Sequence, residues 1–323
     1  MTGPLPATLA AWRRRRSAVR KALWTLLGPL PVRPRPVRAT TVRRRVTADY
    51  VRDDLVLDDG GRGGIPAALV LPHRRPPYPA ILWHHSHFGD WTVGLEELFQ
   101  PWPVRETPAA ALARLGYAVL AIDALGFGDR RGTGPGGPRE TGRAEETSRC
   151  KLLLWQGTSL WAMMVRDDLL ALDYLAHRPE IDGRRIGATG MSMGSTRTWW
   201  LAALDDRVAV AACVGCLTRG EALVRHRALH RHSLYYYVPG MLRRFDSDAV
   251  LGLIAPRALL TLTGDRDRGS PIDGVRFLNR FCARLWALHG HRAAFKGVVY
   301  RGIGHVYTAA MWRQVLAWFD AHL

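Results

Sequence analysis

From residue 50 onward the chain alternates strand-like and helix-like stretches, and that alternation constrains its fold more than any single motif. "VRDDLVLDDGGRGGIPAALVLP" reads as two strands around a glycine-rich turn, and "YPAILWHHS" as a strand running into a polar loop. "TPAAALARLGYAVLAIDALGFGD" reads as helix, strand and glycine-rich loop, and residues 129–150 as an irregular polar excursion. "LWAMMVRDDLLALDYLAHRP" is strongly periodic, with Met163, Met164, Leu169, Leu170, Leu172 and Leu175 as its expected buried set. Further strands follow in "RRIGATG", "RVAVAACVG", "RALLTLTGDRD" and "AFKGVVYRGIGH", separated by the helices "STRTWWLAALDD" and "SPIDGVRFLNRFCARLWALHG" and closed by "TAAMWRQVLAWFDAHL". Strands joined by helices of about ten residues or more pair in parallel, because a parallel return needs a crossover. The expected fold is α/β: a mostly parallel central sheet flanked by helices. A chain of 323 residues, 47% hydrophobic, has ample material for such a core.

In parallel sheets function gathers where strands end at their carboxyl edge. Four strand ends carry reactive side chains. After "PAILW" come His84, His85, Ser86, His87, Phe88 and Gly89; after "RRIGATG" comes Ser192; after "ALLTLTG" come Asp265 and Asp267; after "GVVYRGIG" comes His305. Glycines lie two places either side of Ser192 in "GMSMG". A strand turning sharply into a helix brings backbones close together, and glycine leaves the room, so the serine projects from the tip. The plain alternative is a small-residue turn that contains a serine. The order Ser, Asp, His decides for a nucleophile elbow. A serine hydroxyl is a weak nucleophile at neutral pH. His305 would take its proton and later pass it to the leaving group, and an acid would fix the imidazole tautomer. The oxyanion needs backbone N–H donors, one from Met193 just after the nucleophile and one from the loop after the early strand.

The stretches "GYAVLAIDALGFGDR", "RIGATGMSMGSTRTWWLAALDDRV", "IAPRALLTLTGDRD" and "GIGHVYT", spread over residues 65–323, resemble the α/β-hydrolase superfamily, in particular its bacterial dienelactone-hydrolase-like and acetylxylan-esterase-like branch. The resemblance implies a cofactor-free serine esterase acting on a small-molecule carboxylic ester, with short acyl or acetyl groups as the natural candidates. Lactone or dienelactone hydrolysis, thioester hydrolysis, peptidase activity, and a binding module reusing the fold are the alternatives. The family pattern G-x-x-D places the triad acid at Asp267, with Asp265 as a rival whose plain role is loop capping. Aligned on "PAILW", His85 takes the place of the family's histidine and Ser86 that of its glycine, a departure, which makes His87 the second oxyanion donor. His85, Phe88, Tyr235 and Tyr236 are the candidate pocket residues. Asp123 is expected to bond loop backbone, and Arg130 and Arg131 to be solvated or to meet an anionic substrate. Adjacent histidines on an extended loop point apart, so no metal is expected there.

Charge sets the first 48 residues apart. They hold eleven arginines, one lysine and no acid, twelve of the eighteen net positive charges. Leu9, Trp12, Val19, Leu23 and Leu26 fall at helical spacing, and Gly28-Pro29 stops the run. The expected division is a basic helical arm with linker over 1–48 and a catalytic domain over 49–323. The arm is expected to pack on the domain or on a partner subunit, leaving homo-oligomerisation through it open; no nucleic-acid partner is expected. The apolar run "ALWTLLGPL" makes a poor secretory or twin-arginine signal, and no stretch reaches transmembrane length, so the expected location is the cytoplasm. Four cysteines are too few for a disulfide framework, and Cys213 and Cys216 lie in an apolar run, as buried strand thiols do.

Overall fold

A computed structural model describes residues 8–323; residues 1–7 of the expected arm lie outside the described residues. The elements in chain order are α1 (Leu9–Leu27), β1 (Ala39–Val46), β2 (Tyr50–Leu57), β3 (Ile65–Pro72), β4 (Tyr78–His84), α2 (Pro108–Leu115), β5 (Ala118–Ile122), α3 (Arg143–Trp155), α4 (Leu160–Ala176), β6 (Ile181–Met191), α5 (Met193–Leu204), β7 (Val208–Val214), α6 (Gly220–Arg225), α7 (Ser247–Gly252), β8 (Ala258–Gly264), α8 (Ile272–Leu288), β9 (Phe295–Tyr300) and α9 (Ala309–His322). One nine-stranded sheet has the order β1-β2-β3-β5-β4-β6-β7-β8-β9. The first three strands form an antiparallel meander that joins β5 antiparallel, and all pairings from β5 through β4 to β9 are parallel.

Helices cover both faces, which is why β5 and β8 are buried along their whole length and read as continuous apolar runs. α1, α4, α5, α7 and α8 contribute to the core on one face, and α2 and α9 to that on the other. The six α4 positions expected to be buried are buried, as are Trp199 and Trp200 on α5. α4 is enclosed on its polar side too: Arg166, Asp167 and Asp168 are buried in ion pairs and carbonyl contacts.

Two expectations need correction. Residues 143–155 form α3, which begins inside the stretch 129–150 read as irregular. Its Leu152, Leu154 and Trp155 are exposed while Glu145 and Glu146 are buried, so it carries no apolar period to read. The expected boundary after residue 48 also falls within the sheet, because Ala39–Val46 is its edge strand, paired in register with β2. The described part of the arm is held onto the same chain by packing and hydrogen bonds. Trp12, Val19, Leu23 and Leu27 are the buried residues of α1, with Leu27 in the place expected for Leu26. Trp12 meets Phe281 of α8 edge to face at 6.2 Å. Arg20 donates to the Leu204 carbonyl at 2.8 Å and Arg16 to that of Leu253 at 3.1 Å. Downstream of α1, Arg166 of α4 donates to the carbonyls of Pro31 and Val32, and Arg33 pairs with Asp173 at 2.8 Å.

Trp12→Ala is therefore expected to cost about 3–5 kcal/mol of stability in urea unfolding, in the range for deleting a buried aromatic side chain. Light scattering on the same variant should give an unchanged particle size, since the side chain it empties packs within one chain.

Candidate active site

The site grows out of the β6–α5 turn. Ser192 holds φ 57 and ψ −117, a conformation costly for a residue with a Cβ, and its N–H donates to the Val214 carbonyl of β7 at 2.9 Å. The turn is this tight because α5 starts directly over the end of β4. A Cβ on Gly190 or on Gly194 would collide with the His84 carbonyl oxygen. The two glycines flanking Ser192 are thus required by backbone-to-backbone contact, as their spacing predicts.

The structure brings the three expected side chains together. His305 Nε2 lies 2.8 Å from Ser192 Oγ, and His305 Nδ1 lies 2.7 Å from Asp267 Oδ2. Asp267 is buried; burial opposes its charge, but the bond from His305 and the Gly269 N–H outweigh it and hold the carboxyl below its ordinary range. An ionised Asp267 accepts from Nδ1–H, which leaves Nε2 free to accept the Ser192 proton. Asp265, the rival acid, instead accepts the Gly302 N–H at 2.7 Å and caps the β9 loop.

Beneath the β4 loop lies a layer of buried polar braces. Glu97 accepts both the N–H of Ser86, at 2.9 Å, and its hydroxyl. Burial pushes the Glu97 carboxyl up to about 7 against the lowering effect of those bonds. His85 does not line the cleft, contrary to expectation. It is buried, with Nδ1 2.9 Å from the Ser86 carbonyl and Nε2 accepting the Ala124 N–H at 3.0 Å, so it ties the β4 loop to the β5 loop. Burial, with Arg197 nearby, pushes its pKa down to about 3, so it works as a neutral ring. Asp123 accepts the N–H groups of Leu95 and Asp129, the loop role expected for it, and burial raises its carboxyl to about 6. Arg130 is buried against Asp167, and Arg131 donates to the Gly128 carbonyl, so neither borders the cleft.

The cleft over Ser192 has a volume of about 530 Å³ and includes His87, Phe88, Cys216 and Tyr235 in its lining. Tyr236 is the second pocket residue that needs correction: it turns away, stacks on His232 with ring centroids 4.4 Å apart and bonds Thr218. His232 reaches the Gly269 carbonyl at 2.7 Å and so clamps the segment between β7 and β8 onto the loop that carries Asp267. His87 packs its ring against Trp91, Phe127 and Tyr235, and its Nε2 lies 3.7 Å from Glu146. Glu146 in turn accepts the Ser233 hydroxyl and the Tyr235 N–H, joining α3 to that same segment.

Sequence reasoning missed Cys216 and Glu146. Cys216 Sγ lies 3.6 Å from Ser192 Oγ, and burial pushes its thiol up to about 12, so it stays protonated. Its place just past the end of β7, at the functional edge of the sheet, was the available signal. Glu146 sits on the unpredicted helix and gave none.

An elbow serine after β6, an acid after β8 and a histidine after β9 of a mostly parallel sheet define the α/β-hydrolase fold. Within it, the chain belongs to the dienelactone hydrolase family: the model of that family matches residues 65–219, and "Putative hydrolase YtaP" of Bacillus subtilis (strain 168) is 37% identical over 299 residues, 92% of this chain and 96% of that relative. Two solved structures share the fold. A glucuronoyl esterase from Solibacter usitatus matches at TM-score 0.70 and 18% identity over 98% of this chain and 94% of its own. An acetyl xylan esterase from Paenibacillus sp. R4 matches at TM-score 0.55 and 21% identity over 98% of this chain and 97% of its own. No helix among the described residues is long and apolar enough to cross a membrane.

The Glu97 brace gives a prediction with a definite sign. An ordinary glutamate loses its proton near 4.5, whereas folded Glu97 keeps it to about 7. Between those values the folded state binds the extra proton, so this group's contribution to stability falls as pH rises. The stability of wild type relative to Glu97→Gln is therefore expected to drop by up to about 3 kcal/mol from pH 4.5 to 7, read by urea unfolding at each pH.

Proposed function

We propose that the protein is a serine esterase that hydrolyses carboxylic esters with short acyl groups through an acyl-enzyme. The observation that carries this is the unbroken relay of Ser192, His305 and Asp267, with both hydrogen bonds at 2.8 Å or less. His305 Nε2 takes the Ser192 proton as Oγ attacks the ester carbonyl, and Asp267 stabilises the imidazolium that forms. The Met193 N–H, at the positive end of α5, and the His87 N–H receive the oxyanion. The Ser86 N–H is already spent on Glu97, which leaves His87 as the donor of that loop. His305 then protonates the leaving alcohol, and by the reverse relay activates the water that frees the acid. The short-acyl preference is supported by Cys216 and Tyr235, which crowd the nucleophile, and by the fold neighbour named as an acetyl xylan esterase.

A fluorophosphonate probe should label wild type once, at Ser192, and leave Ser192→Ala unlabelled. On a panel of p-nitrophenyl acyl esters, acetylated sugars and lactones, Ser192→Ala should lose several powers of ten in kcat/KM. Preference for lactones over open-chain acetates would move the reading to lactone hydrolysis.

The two acids separate in the same assay. Asp267→Asn is expected to lower kcat by about 10³–10⁴-fold, as loss of the tautomer-fixing carboxylate does. Asp265→Asn, which alters the acceptor of the Gly302 N–H, should stay within about tenfold of wild type and lower the melting temperature instead. The opposite ranking would transfer the acid's role to Asp265.

A further inference from the structure

Trp155 and Val32 are the two most exposed large apolar side chains among the described residues, at 91% and 89%. They belong to one corner of the molecule. Trp155 ends α3, and just beyond it Gly157 meets the end of α1: a Cβ on Gly28 would strike the Gly157 carbonyl oxygen, and the Thr158 hydroxyl donates to the Leu27 carbonyl at 2.8 Å. Val32 lines a groove with Trp24, Gly28 and Leu30. Leu154 is exposed beside Trp155. An apolar cluster left in water on a protein surface marks a place where something else docks.

The same corner is basic. Arg13, Ser17, Lys21 and Trp24 stand at i, i+4, i+8 and i+11, along one face of α1. Arg14 on α1, Arg35 beyond it, and Lys151, one turn before Trp155 on α3, are exposed as well. None of Arg13, Arg14, Lys21, Arg35 and Lys151 has a carboxylate partner among the described residues. Residues 8–48 contain no acid, and the two acids of α3, Glu145 and Glu146, are buried.

Chemistry identifies the occupant. A second copy of the chain would set these cations against their own kind, with no exposed carboxylate on α1 or α3 to pair them. A nucleic acid would offer phosphates to the cations but bases to Val32 and Leu154, which have no flat face to stack on. An anionic bilayer meets both halves of the corner. Its phosphates face the guanidinium and ammonium groups, the indoles sit at headgroup level, and the aliphatic side chains enter the acyl boundary. We infer that the corner formed by the ends of α1 and α3 docks the protein on anionic phospholipid bilayers, with Trp155, Trp24 and Val32 inserted and Arg13, Arg14, Lys21 and Lys151 against the headgroups. Arg143, at the other end of α3, borders the cleft, about 18 Å along the helix from Trp155, so the docking corner and the cleft mouth are separate.

The test is co-sedimentation of the full chain with vesicles of equal parts phosphatidylcholine and phosphatidylglycerol, and with vesicles of phosphatidylcholine alone. The anionic vesicles should bind at least about 100-fold more tightly, because each basic residue held near an anionic surface contributes roughly a factor of five. That binding should fall steeply near 0.5 M salt, where the screening length shrinks to about 4 Å. Arg13→Gln/Arg14→Gln/Lys21→Gln should weaken it on the order of 100-fold, and Val32→Ser/Trp155→Ser about tenfold or more. Lipids with brominated acyl chains should quench part of the tryptophan fluorescence of the bound protein, and Trp155→Phe should remove part of that quenching, which attraction of charge alone would not produce. The altered side chains are exposed and lie outside the cleft, so each variant should keep the wild-type urea midpoint and the wild-type rate with p-nitrophenyl acetate. Equal binding to both kinds of vesicle, no binding to either, or binding that survives both multiple variants overturns the inference. So does tighter binding of a single-stranded oligonucleotide than of anionic vesicles, which assigns the corner to nucleic acid. A dimer in light scattering that Val32→Ser/Trp155→Ser dissociates also overturns it, and assigns the corner to a second copy.

Discussion

The close seating of α5 on β4 is the contact on which the rest of the site depends. β4 and β6 run parallel, with His84 opposite Gly190, and α5 begins before the sheet edge has opened. The His84 carbonyl consequently lies where any side chain at Gly190 or Gly194 would need to be. That contact forces Ser192 into its positive-φ geometry and fixes two things together: the projection of Oγ toward His305 and the place of the Met193 N–H at the start of a helix. A turn one residue looser would separate Ser192 Oγ from His305 Nε2 and from the positive end of α5.

The β4 loop needs a different kind of support, because its irregular backbone is buried and leaves polar groups without sheet partners. The chain answers with buried titratable side chains used as fixed acceptors and donors. Glu97 and His85 between them hold both the N–H and the carbonyl of Ser86, while Asp123 holds the neighbouring loops. Their pKa directions follow from this use. Burial raises the acids and lowers the imidazole, so the braces tend toward neutral forms that cost less to enclose. Ser86, which departs from the glycine that the family resemblance puts in this loop, is accounted for by this network, since its hydroxyl is bonded to Glu97.

The N-terminal segment shows arginine working in two ways. Part of its charge is structural, through the guanidinium groups of Arg16, Arg20 and Arg33 that hold α1 and the following segment to the body. Arg15, Arg44 and Arg45 also pair with acids of the same chain, whereas Arg13 and Arg14 on α1 and Arg43 on the edge strand β1 are exposed. A sequence census adds these two populations into one net charge, although only the second can respond to a partner. The cleft shows the same distinction. Arg130, conspicuous beside a glycine-rich loop, is absorbed into the body and Arg131 bonds that loop's own backbone, whereas Arg266 and Arg268, unremarkable in sequence, are exposed on either side of Asp267.

The sequence by itself determined the α/β class, the elbow at Ser192 and the order of serine, acid and histidine, because each of these is written in local patterns: period-two and period-3.6 hydrophobicity, glycine spacing and strand-end position. It also put Asp267 ahead of Asp265, through the family motif. Only the tertiary structure decided which side chains face the cleft. His85 lies two residues from His87 and Tyr236 directly after Tyr235, yet in each pair one residue lines the cleft and the other turns inward to bond a neighbouring segment. α3 and Cys216 were hidden for the same reason. Their roles come from surroundings contributed by residues distant in sequence, such as Glu146 meeting Tyr235 and Cys216 meeting Ser192, and a linear pattern carries no record of those encounters.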